Sequence, residues 1–187
     1  HEKILDKFQR EISQLGYSLS IHHLTSEEVK KRQLPLTFSK ERTSGIMSVE
    51  LFDADYVKML CNLDIPLLLV DAPVDPMSEP FPADLLIMDN TNGIATFIKH
   101  MLDKGYKEIG FIGHAEHCRS FFERFMAYRN AMYLYGGELK EEFCLVDTYK
   151  GMRYPTSEDY RSYIKEELLR LDHLPQIFVC ANDFVAL

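Results

Sequence analysis

Between residues 85 and 113 the chain runs "LLIMDNTNGIATFIKHMLDKGYKEIGFIG": an apolar run, a polar turn, a helical pattern closed by glycine, and a second apolar run. Two continuous apolar runs joined by one amphipathic segment make a strand–helix–strand unit. Such a unit fits a parallel sheet with both faces covered, because its strands carry no polar side to show to water. Ile94, Ile98, Met101 and Leu102 recur at helical spacing, and Gly105 ends the pattern. The polar pair Asp89-Asn90 stands where a helix N-cap belongs, and Thr91 can share that duty.

The same alternation extends in both directions. Leu5, Phe8, Ile12 and Leu15 mark a helix closed by Gly16, and Tyr17, Leu19 and Ile21 then alternate as strand residues do. The polar stretch 25–44 allows a short helix capped near Ser26-Glu27-Glu28, which Pro35 must stop. "GIMSV" (45–49) predicts a buried strand, 53–63 a helix starting near Asp53, and "IPLLLVD" (65–71) a buried strand ending on a carboxylate. "PVDPMSEPFP" (73–82) must be irregular. Further along, Leu85 to Met88, "IGFIG" (109–113), "FCLV" (143–146) and "QIFVC" (176–180) predict strands. Helices are expected through Phe121, Phe125, Tyr128, Met132 and Tyr135, and through Tyr160, Tyr163, Ile164, Leu168 and Leu171. Asn182-Asp183 opens one more. Alternating strands and helices imply an α/β fold with doubly wound parallel sheets. The first helix lacks a preceding strand and the last has one turn, so a piece of a longer chain is expected.

Charge and motifs exclude several functions. A net charge of −8 gives this segment no basic footprint for nucleic acid or an anionic membrane. No uncharged apolar run is long enough to span a bilayer, and the first residues do not resemble a signal peptide. Cys61, Cys118, Cys144 and Cys180 form no Cys-x-x-Cys, which predicts free thiols in a reducing cytoplasm. His114, His117 and Cys118 have a metal-like spacing, but a structural zinc takes about four ligands and no second cluster supplies the rest. No metal or cofactor is therefore expected. Dinucleotide, phosphate-loop and nucleophile-elbow motifs are missing, and the loops supply no convincing nucleophile, base and charge stabiliser. An enzyme is not expected either.

Ligands of open parallel sheets bind beyond the carboxyl ends of the strands. The polar residues there are Asp71, Asp89-Asn90, His114 to Arg119, Thr148 to Thr156 and Asn182-Asp183, with Arg124 one turn into its helix. Carboxylates accept hydroxyl protons, an Arg fork donates, and a Tyr face covers C–H groups, so this rim suits a polyhydroxylated ligand. Plainer duties compete: capping for Asp89, Asn90 and Asp183, an ion pair with Glu123 for Arg124, and surface packing for Tyr149 and Tyr154.

The stretch 83–113 resembles the signature of LacI/GalR-family bacterial transcription regulators. In that signature an Asp-Asn turn leads a helix ending in a His-Leu-like pair, followed by Gly, an aromatic or His, and Ile-Gly-Phe-Ile. His100-Met101, Gly105-Tyr106 and Ile109 to Ile112 occupy those places here. "ERFMAYRNAM" (123–132) resembles the family's Arg-x-x-Gly-aromatic helix, with Ala127 in place of the Gly. "IFVCANDFVAL" (177–187) resembles its Ala-Asn-Asp segment, "IPLLLVD" its Ile-Pro strand, and "LGYSLSI" and "SGIMSV" its first lobe.

The resemblance implies a two-lobed, periplasmic-binding-protein-like fold, each lobe a doubly wound parallel sheet. Residues 1–88 would form an incomplete N-terminal lobe and 89–187 an incomplete C-terminal lobe, with the crossover near Met88-Asp89. The family's helix-turn-helix, first strand and closing strands have no counterpart in this sequence. Asp71, Arg124 and Asp183 match positions that hold the effector. Tyr154 lies near the place of a stacking aromatic, and His114 and Arg119 fall in the loop lining the same cleft. The implied function is effector sensing by a dimeric, cytoplasmic repressor. Its small molecule would be a sugar or sugar derivative, or a purine, and operator DNA would be reached through the absent domain. An extracytoplasmic sugar-binding protein of a transporter is the alternative on the same fold.

Overall fold

The computed structural model describes residues 2–74, 80–147 and 157–186, in two compact units, residues 1–42 and 43–187. In the first unit, helix α1 (Glu2–Gln14) ends as expected at Gly16, whose φ of 83° a β-carbon would disfavour. Helix α2 (Ser26–Lys31) is capped one residue earlier than expected. The Thr25 hydroxyl accepts the Glu28 N–H (3.2 Å) while the Glu28 carboxylate accepts the Thr25 N–H (2.8 Å). The strand expected at Tyr17–Ile21 does not form. Alternation makes a strand only where an edge accepts its ladder, and residues 17–25 have no strand partner among the described residues.

The second unit holds two parallel three-stranded sheets. In the first, β1 (Ile46–Val49), β2 (Leu67–Val70) and β3 (Asp84–Leu86) lie in that order. Helix α3 (Ala54–Cys61) connects β1 to β2, and the Asp53 carboxylate caps it by accepting the Tyr56 N–H (2.9 Å). Strand β3 comes one to two residues earlier than the apolar run suggested, because Leu86 is the last residue in register with β2. Helix α4 (Asn92–Asp103) then leads to the second sheet, ordered β5-β4-β6, with β4 Ile109–Ile112, β5 Cys144–Leu145 and β6 Ile177–Cys180. Helix α5 (Arg119–Leu134) follows β4, α6 (Ser157–Arg170) precedes β6, and the short α7 (Asp183–Ala186) comes after it. Strand β5 is shorter than expected, since Glu141–Phe143 tightens into a 3-10 turn.

Strand β4 is buried along its whole length because both neighbours pair with it. Its Ile109 and Phe111 pack with Ile98 of α4, Tyr128 and Met132 of α5 and Val179 of β6. Tyr128 buries its ring yet satisfies its hydroxyl, which donates to the Ile109 carbonyl at 2.6 Å. Burial pushes that hydroxyl's pKa up, so it stays a neutral donor. The end of β4 is tighter still. Gly113 has φ 147°, and a β-carbon there would collide with the Ala181 β-carbon at the end of β6. Gly113→Ala should therefore lower stability by about 1–3 kcal/mol through overpacking, read as a reduced urea midpoint at unchanged slope.

Candidate functional site

The β2 end is held in an unusual conformation. Asp71 has φ 62°, a left-handed backbone that Asp tolerates better than most residues, and its N–H donates to the Leu86 carbonyl (3.0 Å). One carboxylate oxygen accepts two N–H groups, from Ala72 (2.8 Å) and from Ser120 (3.2 Å) at the start of α5. The Arg119 N–H donates to the Ala72 carbonyl at 2.9 Å. The rim of the first sheet thus meets the first turn of α5 directly. Cys118, at the N-cap position, makes no side-chain cap bond, and burial pushes its thiol up to about 12. Beside it the His117 ring lies between Phe52, from the loop after β1, and Phe121, with centroids 5.0 Å away on each side.

The polar turn after β3 divides its work. Asp89 is the capping residue: its carboxylate accepts the N–H groups of Thr91 (2.9 Å) and Asn92 (3.0 Å) and the side-chain amide of Asn92 (2.6 Å). These bonds, the Asn92 backbone N–H foremost, hold its pKa down at about 2. Asn90 does no capping. It is 4% exposed, and its amide donates to the Ser120 hydroxyl (3.2 Å) and the Glu123 carboxylate (3.1 Å) while its carbonyl accepts the Arg124 Nε–H (3.0 Å). Arg124 continues to the Ala181 carbonyl at 2.6 Å. Glu123 also accepts the Arg119 Nε–H at 2.8 Å.

The expected site residues divide accordingly. Asp71, Arg119 and Arg124 join one network through Ser120, Glu123 and Asn90. Asp183 sits exposed at the start of α7, accepting the N–H of Phe184 (3.1 Å), and no hydrogen bond among the described residues ties it to Asp71 or Arg124. The His114 Nδ1 faces the Val146 carbonyl at 3.3 Å, away from that network. Tyr154 lies outside the described residues. Ser120 is the member that the strand-end reading left out, while Asn90 stood at the rim as a capping candidate and proves to be the centre of the network. The available signal was redundancy, since one carboxylate suffices to cap α4. Among the described residues no group of three or more His, Cys, Asp and Glu side chains could hold a metal ion. None of the described helices is long and apolar enough to cross a membrane.

No family profile matches the sequence. The chain is 26% identical over 172 residues to the HTH-type transcriptional regulator GalR of Lacticaseibacillus casei, covering 91% of this chain and 48% of that protein. It is 27% identical over 178 residues to the HTH-type transcriptional repressor PurR of Actinobacillus pleuropneumoniae, covering 93% and 49%. It spans about half the length of these curated relatives. The solved complex of the transcriptional regulator CelR with cellobiose superposes with a TM-score of 0.70 at 17% identity, over 95% of this chain and 51% of that one. The fold is the two-lobed, periplasmic-binding-protein-like α/β fold of these regulators.

Two outcomes follow from the geometry. Asn90→Ala leaves the Arg124 Nε–H and its neighbours without their buried partner and should cost about 2–3 kcal/mol in chemical denaturation. The Asp89 cap sets an acid limit. A depressed folded pKa contributes stability that is complete above the unfolded carboxyl value of about 3.9 and lost as pH falls through the folded one. Urea denaturation followed by far-UV dichroism from pH 5 to 2 should show the parent losing more stability across that window than Asp89→Ala does.

Proposed function

We propose that this chain, built on the core of a LacI/GalR-type regulator, is the effector-sensing part of a DNA-binding transcriptional repressor. A small molecule, a sugar in our reading, binds between the two lobes and changes operator affinity through a dimer. Lobe one comprises residues 1–88 and lobe two 89–187. The setting is cytoplasmic, the DNA-binding domain lies outside these 187 residues, and the chain's task is binding rather than catalysis.

The observation that carries this reading is the position of Asp71 and Arg124 at one rim, tied through a shared network across the two sheets. Asp71 supplies an acceptor for paired hydroxyls. Arg124 spends its Nε–H and one Nη1–H on Asn90 and Ala181, which fixes the guanidinium plane while leaving other donors for a ligand. Cellobiose in the CelR complex is a polyhydroxylated molecule of the kind such a donor–acceptor pair suits. Arg119 at the start of α5, Asp183 at the start of α7, His114 and Tyr154 complete the proposed ligand set. Switching requires the ligand to favour one lobe arrangement, and a shift from 1:99 to 99:1 takes ~5.5 kcal/mol of differential affinity. Charge-assisted hydrogen bonds of about 1.5–3 kcal/mol each can supply much of it.

The test is a thermal-shift screen of mono- and disaccharides, sugar phosphates and purines on the parent protein. A true effector should raise the melting temperature with the logarithm of its concentration. Arg124→Ala should melt lower without ligand, because Asn90 loses its partner, and should show no ligand-dependent rise. A sugar that shifts the parent and Arg124→Ala equally would remove Arg124 from the site. A screen with no shift in any class would sink the sensor reading.

A further inference from the structure

Helices α4 and α5 pack side by side, and an open groove of about 250 Å³ runs between them on their outer side. Its floor is low because Ala95 of α4 and Ala127 and Ala131 of α5 offer only methyl groups. The α5 wall is a single i, i+4 row: Phe122, Met126, Asn130 and Leu134. Leu134 is 70% exposed and Met126 37%, so this row turns apolar side chains to water. At the far end stands Tyr135, with the Lys99 ammonium 5.9 Å from its ring centre. Among the described residues lining the groove, Glu123 alone carries a charge, and Arg119 pairs with it at 2.8 Å. Lys99 is likewise paired, with Asp103 at 2.6 Å. Single exposed apolar residues are ordinary on a surface; here several line one continuous groove.

We propose that this groove is a self-association surface in which α5 of a second copy lies, the two copies exchanging their Phe122–Leu134 rows about a two-fold axis. A two-fold contact needs a self-complementary patch, and this face carries both parts of a helix contact, a ridge and a valley, side by side. Charge favours the same occupant. A chain of net charge −8 repels its copy, but the charges around this groove are already paired within each chain. Asn130 fits the two-fold as well, because an amide carries both donor and acceptor for its twin and fixes register among apolar neighbours. The 16 residues of α5 span about 24 Å, and two adjacent helices are about 20 Å wide, which gives roughly 500 Å² of face per copy. A total near 1,000 Å² lies at the low end of specific interfaces, so the association is reversible. The proposal does not rest on the sensor reading, and a dimer built through another face would be doubled by this one.

The measurement is molar mass by analytical ultracentrifugation of the full chain across a dilution series. The parent should lose half its mass on dilution. Leu134→Lys sets a charge in each groove at a position exposed enough to leave the core untouched, and should weaken association about tenfold or more. Asn130→Asp keeps the side chain's shape but sets two carboxylates against each other across the axis, and should also weaken association about tenfold. At concentrations where the parent is associated, both variants should therefore show half its mass. Leu36→Lys changes a fully exposed leucine of the first unit and should follow the parent throughout. The proposal stands only if Leu134→Lys and Asn130→Asp both lower the mass while Leu36→Lys does not; any other pattern overturns it. A parent with the mass of one chain at every concentration overturns it too, and leaves the groove to a different protein.

Discussion

The buried amide of Asn90 is the interaction on which the second sheet's rim depends. Three groups from α5 meet it: the Ser120 hydroxyl, the Glu123 carboxylate and the Arg124 guanidinium. An amide can serve all three because it carries donors on nitrogen and an acceptor on oxygen. A carboxylate at this place would only accept, and would face Glu123 with a like charge. A buried network is stabilising only when each member is satisfied, so removal of this one side chain strands several polar atoms together. Arg124 then carries the tie to the Ala181 carbonyl at the end of β6. The entry to α4, the first two turns of α5 and the tip of β6 are thereby fixed relative to one another.

Two helix starts at this rim are capped in contrasting ways. Helix α4 is capped from its own turn by Asp89, a local arrangement that survives any movement between the sheets. Helix α5 takes its acceptors from Asp71 and Ala72 on the other sheet, so its first turn registers how the sheets are placed. The tight approach of Gly113 to Ala181 keeps β4 and β6 locked behind it. Rigid packing within the second sheet and replaceable hydrogen bonds at its edge are what an element with two discrete arrangements requires.

Legibility from sequence followed the range of the interaction. Helix α4 and strand β4 were visible because their signals are local: helical spacing from Ile94 to Leu102, Gly105 as terminator, and a continuous apolar run. The core positions Ile98, Phe111, Tyr128 and Met132 follow from the same periodicity. The segment Tyr17–Ile21 misled because alternation records a face, while a strand also needs a neighbour. Helix α5 begins at Arg119, two residues before its apolar stripe, since its acceptors lie 47 to 49 positions away in the chain, at Asp71 and Ala72. The network role of Asn90, which stood at the rim as a capping candidate, was hidden for a similar reason. Beside a good capping residue, a second polar side chain looks redundant until the partners that bury it, 30 to 34 residues downstream, are in view.

The same geometry bears on how a small ligand can move a large structure. Of the backbone bonds between the sheets, that from the Arg119 N–H to the Ala72 carbonyl is worth about 1 kcal/mol net and that from the Ser120 N–H to the Asp71 carboxylate about 1.5–3 kcal/mol. A ligand selects between two lobe arrangements only through its differential affinity for them, and weak contacts where the sheets meet keep the required difference small. Behind these contacts Asn90 and Ser120 are buried, while Glu123 and Arg124 are half-buried. Hydrogen bonds run on from Asp71 through Ser120 to Asn90, and from there to Arg124 and Ala181. The candidate ligand residues Asp71 and Arg119 stand where the two sheets meet, at the head of that chain of bonds.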